Sequence, residues 1–412
     1  MVNKMKETLY YKDNYKTDFE SVVVECIEDN GVYKIVLENT AFYPEGGGQK
    51  ADIGKINGIL VKDVQIKNDI IYHTLEKPIA VGETVIGKVD FESRFSNMQH
   101  HTAEHIVSGL VCKEYTAENV GFHMGQDAVT MDFNVILTKE QIEKIEQKAN
   151  EAVFQNIEIK INNYTKEQVK DMQYRSKKEL EGIIRIVEIP GYDICACCGL
   201  HVEKTGEIGM IKLLSVEKYK SGCRVSMICG KKAIQNYNDI YNQVNSTSTL
   251  LSCKHDEVYN KVEELQEKIK QLQHQNRCLE EKIFEAEVNS LEPKKVQLLF
   301  KEALDSNEMK NLCTKLKEKS LEISAVFAKN GDNYRFQIMS DKIDLRPIAK
   351  ELTTIFHGRG GGKGEYIQGQ ITATKEEIEK YFLRLILFFY DIKCSIIVSD
   401  KTKGEVQWIL IQ

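Results

Sequence analysis

Phe95-Ser96-Asn97-Met98-Gln99-His100-His101-Thr102-Ala103-Glu104-His105-Ile106-Val107-Ser108-Gly109-Leu110 is where the pattern of this chain turns over. Phe95, Met98, Thr102, Ile106 and Leu110 recur at helical spacing, so the stretch predicts a helix. Upstream, residues 17–91 read as β. Asp29-Asn30-Gly31 lies between Val22-Val23-Val24 and residues 33–37, Asn57-Gly58 lies before residues 59–66, and Asn68-Asp69 precedes Ile70-Ile71-Tyr72. Short apolar runs separated by such dipeptides predict hairpins, and several in succession predict a small barrel or sandwich.

Downstream the pattern is mixed. Residues 129–135 alternate like a strand. Thr138 opens a helix with Ile142, Ile145, Ala149 and Val153 on one face. Strands are expected at 157–161 and 183–189, then a turn at Pro190-Gly191. The polar run Asn245-Ser246-Thr247-Ser248-Thr249 predicts a boundary. Beyond it Val258, Leu265, Leu272, Leu279 and Ala286 are seven apart, interleaved with Val262, Ile269, Asn276 and Ile283. That is a heptad pattern of about four repeats, with a polar residue, Asn276, at one a position. It predicts a coiled-coil spacer that brings two copies together through residues 258–286, or a lone spacer helix. After Pro293 a compact α/β unit is expected, with strands at 296–300, 322–328 and 334–339, helices at 308–319, 345–356 and 375–389, and edge strands at 394–398 and 406–411. The fold expected is α+β, in four parts: a barrel-like region at 1–91, a metal-binding domain at 92–244, a coiled-coil spacer at 250–292 and a C-terminal domain at 293–412.

Composition narrows the class. The chain has 412 residues, 42% hydrophobic and 29% charged, an ordinary globular balance that excludes a disordered or fibrous chain. No run approaches the roughly 18 apolar residues of a membrane span, and no apolar segment follows Met1–Lys6 to make a secretory signal. Eleven cysteines in a chain of this kind predict reduced thiols and a cytoplasmic protein with no membrane partner. The net charge of −6 argues against indiscriminate nucleic-acid binding. From Pro293 to Gly364, however, 14 Lys/Arg stand against 9 Asp/Glu.

Three motifs carry chemistry. His101 and His105 are four apart and share a helical face, and Cys195-Ala196-Cys197-Cys198-Gly199-Leu200-His201 supplies a CxxxH in Cys197 and His201. Three histidines and one thiolate make a tetrahedral N/S set that suits zinc, with Cys195 and Cys198 as alternative ligands. Four protein ligands are also compatible with a structural ion. The second motif is Thr40-Ala41-Phe42-Tyr43-Pro44-Glu45-Gly46-Gly47-Gly48-Gln49, whose glycines let backbone amides approach a sugar, a phosphate or a carbonyl oxygen. The third is His357-Gly358-Arg359-Gly360-Gly361-Gly362-Lys363-Gly364. Its spacing fails as a P-loop, yet a glycine loop with Arg and Lys suits a phosphate backbone.

Together these motifs resemble the editing domain of alanyl-tRNA synthetase and its free-standing AlaX relatives. HTAEH, the CxxxH before Val202, and FYPEGGGQ with Asp52 and Gly54 carry the likeness. Residues 296–385, with RGGGK, resemble the synthetase's C-terminal, DHH-associated domain. No room remains upstream of residue 17 for an aminoacylation domain, so the resemblance is to the long AlaX form. It implies hydrolysis of serine from mischarged tRNA(Ala), with glycine as a further substrate left open. His101, His105, Cys197 and His201 match the zinc ligands. Gln49, Gly47 and Gly48 match the editing-pocket loop, and Thr40 matches a threonine facing the amino-acid side chain. Arg224 falls in a basic segment expected at the tRNA acceptor end, and Arg359, Gly360, Gly361, Gly362 and Lys363 in a tRNA-binding loop. Water is the expected nucleophile, and Glu45 and Glu104 are the candidate bases. The chain departs from the family at Cys198 and Leu200, where Cys-Gly-Gly-Thr-His is usual, at His100, usually asparagine, and at Glu365-Tyr366. The alternatives are an editor of another tRNA, such as Ser-tRNA(Thr), a non-catalytic RNA-binding protein with structural zinc, and a DHH-type phosphodiesterase, whose own aspartate–histidine–histidine motif is missing.

Overall fold

A computed structural model describes residues 8–176 and 182–389. The chain divides into two compact units, Met1–His255 and Asp256–Gln412. No helix among the described residues is long and apolar enough to cross a membrane. The edge strands expected at 394–398 and 406–411 lie outside the described residues.

The first unit opens with a one-turn helix, α1 (Leu9–Lys12), and a closed six-stranded barrel. Its strands are β1 (Asp18–Asp29), β2 (Val32–Leu37), β3 (Gly54–Ile56), β4 (Ile59–Lys67), β5 (Ile70–Leu75) and β6 (Thr84–Val89), in the order β1-β2-β5-β4-β3-β6. Each hairpin turn holds both central residues at positive φ: Asn30 and Gly31, Asn57 and Gly58, Asn68 and Asp69. Such turns match the right-handed strand twist, and Asn, Asp and Gly tolerate them. Inward residues, among them Val23, Ile35, Ile56, Val61, Leu75 and Val85, fill the barrel. Arg94 is fully buried beneath it, pairing with Asp52 and donating to the Ala41 carbonyl.

Asp90 caps α2 (Phe91–Tyr115) by accepting from Ser93 N at 3.0 Å. Thr138 and Gln141 form a capping box on α3 (Lys139–Gln155). Around these helices run β7 (Asn119–Met124), β8 (Val129–Phe133), β12 (Ile211–Tyr219) and β13 (Gly222–Cys229) as one sheet, and β9 (Lys160–Thr165), β10 (Ile183–Ile189) and β11 (Asp193–Ala196) as another. The strand expected at 157–161 therefore begins three residues later. Met98, Ile106, Val107 and Leu110 of α2 enter the core these elements share.

The polar run at 245–249 is helical. Those residues lie inside α4 (Gly230–Leu251), which ends on Ser252 in the left-handed region. Ser246, Thr247 and Thr249 donate to the carbonyls four residues back, so hydroxyls that favour a break in isolation are satisfied within the helix.

In the second unit α5 (Val258–Asn289) is one 32-residue helix. Among the described residues only its C-terminal end, through Phe284 and Val288, packs into a core, against Met309, Leu312 and Leu316. Val262, Leu265, Ile269, Leu272, Leu279 and Ile283 form an exposed stripe. A five-stranded sheet follows: β14 (Lys294–Lys301), β15 (Ser320–Asn330), β16 (Asn333–Met339), β17 (Arg359–Lys363) and β18 (Tyr366–Ile371), in the order β14-β15-β16-β18-β17. β14 and β15 are parallel, joined by α6 (Ser306–Leu316); α7 (Arg346–Ile355) and α8 (Lys375–Phe389) complete the unit. The expected glycine loop is also corrected: residues 359–363 form the edge strand β17. Gly360 pairs with Gly369, and a Cβ on either would come within 3.0 Å of the Phe336 ring or the facing backbone. The glycines allow two strands to lie flat over that ring, a tertiary constraint that outweighs their weak strand preference.

Candidate metal centre

His101 and His105 lie one turn apart on α2, with ring centroids 5.3 Å apart. The turn after β10 and the short β11 bring the cysteine segment across them. Gly199 is required there, since a Cβ would fall 2.0 Å from His101 Cε1 and 2.9 Å from Gln49 Oε1. As a result the donor atoms of His101, His105, Cys197 and His201 all lie within 4.8 Å of one another. Cys197 Sγ is 3.4 Å from His101 Nε2 and accepts from Gly199 N at 3.3 Å.

Each histidine is held by its other nitrogen. His101 Nδ1 is 2.9 Å from Gln49 Oε1, His105 Nδ1 is 2.9 Å from Asp193 Oδ2, and His201 Nδ1 is 3.2 Å from Thr102 Oγ1. Gln49 Oε1 and the carboxylate accept only, and Thr102 gives its own proton to the Met98 carbonyl at 2.8 Å. All three Nδ1 atoms therefore donate, so it is the three Nε2 atoms that converge beside the Cys197 sulfur. His201 Nε2 is buried and unpartnered among the described residues. A buried ring nitrogen left without a partner is costly unless a cation joins it. The donor set thus fits a metal ion.

Burial alone would raise the Cys197 thiol, but His101 and His105 outweigh it and hold it well below the usual range. Burial works to lower His105, yet Cys197 and Asp193 raise it well above an ordinary histidine. Burial pushes His201 down to about 3.

The glycine segment meets this cluster through Gln49. Its Oε1 also accepts from Leu200 N at 2.9 Å, while Nε2 is buried without a partner among the described residues. Gly46 and Gln49 pair through their backbones, and Gly47 and Gly48 take φ of +61° and +85° between them, leaving their amides outside that pairing. Phe122 stacks on His101 at 5.2 Å and touches Gly48, where a Cβ would sit 2.4 Å from the ring.

Other expected residues lie elsewhere. Thr40 Oγ1 is 2.8 Å from His73 Nε2 and accepts from Phe42 N, inside the barrel. Glu104, however, borders the cluster: it is buried, Oε1 accepts from Ser108 and Asn119 at 2.7 Å each, and Oε2 lies 3.9 Å from His105 Nε2; Glu45 is exposed and accepts from Gln65. Arg224 makes a two-pronged pair with Asp132 and lies 3.8 Å from the Tyr219 ring centroid. Arg359 and Lys363 are exposed on β17, in the second unit. Cys195, with His105 and Asp193, forms a second trio within the same 4.8 Å limit; Cys198 is exposed. His100 is structural, bonded to the Ser96 carbonyl and Cys229 N. Asp193, Thr102 and Phe122 were not singled out as site residues from sequence. Only Thr102, inside HTAEH, had a nearby motif to point to it.

Three family models match the chain: "tRNA synthetases class II (A)" over 1–93, "Threonyl and Alanyl tRNA synthetase second additional domain" over 184–225, and the "DHHA1 domain" over 293–387. "Alanyl-tRNA editing protein AlaX-L" of Pyrococcus horikoshii is 29% identical over 91% of this chain and 96% of its own length. Alanine–tRNA ligases of Thermofilum pendens and Methanoregula boonei are each 30% identical, over 89% and 88% of this chain but only 42% and 41% of the ligases. Among solved structures, the C-Ala domain of Aquifex aeolicus alanyl-tRNA synthetase aligns with 22% of this chain at 23% identity and a TM-score of 0.19. The chain is thus similar to AlaX-L along nearly the full length of both, with the second additional domain and the DHHA1 domain in order.

Proposed function

We propose that this chain is an aminoacyl-tRNA deacylase of the alanyl-tRNA editing type, acting in trans on Ser-tRNA(Ala), with Gly-tRNA(Ala) as a second substrate. The observation that carries the reading is the convergence of His101, His105, Cys197 and His201 beside the Gly46–Gln49 turn. Its N/S donors suit zinc, and a bound zinc ion would supply positive charge to polarise or orient the aminoacyl ester. Gln49 Nε2, buried and unpartnered, is the donor available to the ester carbonyl as its charge grows, together with the Gly47 and Gly48 amides. Phe122 and the glycine turn narrow the space beside His101 and help exclude bulk water. Water is the nucleophile. Glu45 faces solvent, and Glu104 has one oxygen tied to Ser108 and Asn119 and the other 3.9 Å from His105 Nε2, which makes Glu104 the candidate base that borders the cluster; positioning of water carries the rest. Thr40 is proposed to face the serine hydroxyl on the resemblance alone, and would have to exchange its bond to His73 to do so; a site that pairs a hydroxyl rejects the analogue lacking it.

The second unit would hold tRNA through Arg359, Gly360, Gly361, Gly362 and Lys363, with Arg224 nearer the acceptor end. The heptad face of α5 supports a spacer of about 48 Å and, through residues 258–286, a homodimer. The curated relatives named are alanine systems, which supports tRNA(Ala) over tRNA(Thr). The test is deacylation of Ser-, Gly- and Ala-tRNA(Ala) beside Ser-tRNA(Thr). Loss of serine from tRNA(Ala) with alanine spared is expected; loss from tRNA(Thr) alone would move the reading to the threonine system.

A further inference from the structure

We propose that Asp193, clamped by Arg175, is a positioning group of the metal centre: the carboxylate fixes His105 as a ligand, and the guanidinium keeps the carboxylate from becoming one. This rests on the metal reading above. His105 is the only one of the three histidines held by an ionised partner, since Gln49 and Thr102 are neutral. Asp193 is 6% exposed, and both its oxygens are occupied. Arg175 Nε donates to Oδ1 at 2.7 Å and Nη2 to Oδ2 at 2.8 Å, and His105 Nδ1 donates to Oδ2 at 2.9 Å. A carboxylate behind an imidazole fixes its tautomer and direction and strengthens it as a ligand.

The backbone holds the clamp in register. Arg175 N donates to the Ile194 carbonyl at 2.8 Å and Ala196 N to the Arg175 carbonyl at 2.9 Å, so the segment lies alongside β11. On the α2 side Gly109 admits Asp193, because a Cβ there would fall 2.8 Å from Asp193 Cβ. The guanidinium has a second consequence. His105, Asp193 and Cys195 also have donor atoms within 4.8 Å of one another, so a carboxylate freed from Arg175 would complete a rival trio. A two-pronged arginine contact, unlike a single lysine one, occupies both oxygens at once. Arg175 lies outside the matched residues 184–225, so the site extends into a segment no motif marks.

The experiment titrates Co²⁺ into chelator-stripped full-length chain against a competing chromophoric chelator. Circular dichroism and thermal melting report folding, and the visible spectrum reports the ligand set. Asp193→Asn is expected to bind Co²⁺ about 10- to 100-fold more weakly than wild type. Arg175→Gln is expected to strengthen the thiolate-to-cobalt band as Cys195 joins, and Arg175→Lys to return most of the wild-type spectrum. A loss below tenfold in folded Asp193→Asn overturns the positioning role, and an unchanged spectrum in Arg175→Gln overturns the guanidinium's. Should Asp193→Asn not fold, Arg175→Gln decides, since its side chain is partly exposed. A wild-type chain that takes up no Co²⁺ overturns the metal reading itself, and this proposal with it.

Discussion

Gln49 Oε1 lies 2.9 Å from both His101 Nδ1 and Leu200 N, so one side chain from the glycine turn ties the α2 ligand to the cysteine segment. The same amide presents a buried, unpartnered Nε2. Two substitutions separate the two ends. Gln49→Glu keeps an acceptor for His101 and loses the donor, so metal content should persist while single-turnover deacylation falls by about 10²-fold. Gln49→Ala should lower both. Metal analysis beside single-turnover rates checks this.

The Arg94–Asp52 pair is fully buried and joins the barrel to α2. Arg94→Met leaves the Asp52 carboxylate unpaired in the interior, and stability should fall by about 3–5 kcal/mol. Urea denaturation of the two proteins measures it. Equal midpoints would show that the pair does not anchor the barrel.

What was legible in the sequence follows covalent spacing. HxxxH needs only a helix, and CxxxH after Pro190-Gly191 needs only a turn, so the four converging residues could be named. The Asn30-Gly31, Asn57-Gly58 and Asn68-Asp69 turns made hairpins readable for the same local reason. Asp193 and Arg175 were not readable: they are 18 positions apart and meet only because one segment lies along β11. Residues 359–363 carry no strand signal because they are mostly glycine, and the pairing of β17 depends on Gly369 and Phe336 from other strands. Thr40 was placed by resemblance, and no spacing could have shown its hydroxyl bonded to His73.

His73 gives a pH signature. Burial lowers it from 6.5 to about 4. The unfolded chain therefore takes the proton first, and stability is complete above about pH 6.5 and lost as pH falls from there towards about 4, by about 3 kcal/mol in all. Melting curves across this window should show the loss in wild type. In His73→Asn the slope should be shallower, whatever that variant's absolute stability.

Arg359 and Lys363 stand exposed on an edge strand, in a unit apart from the metal cluster. Replacing either with alanine should weaken tRNA binding and reduce the salt dependence of log K by about one each. The rate at saturating tRNA should stay unchanged. Removal of residues 293–412 should raise KM more than it lowers kcat. Unchanged binding in all three proteins would deny the second unit its role.

The most direct test of the central claim combines deacylation with metal analysis in wild type and Cys197→Ala. Ser-tRNA(Ala) and Ala-tRNA(Ala) are the two substrates, with and without a zinc chelator. The account predicts one zinc per wild-type chain, fast chelator-sensitive loss of serine with alanine spared, and loss of both zinc and deacylation in Cys197→Ala. Undiminished zinc content and serine release in Cys197→Ala would contradict it.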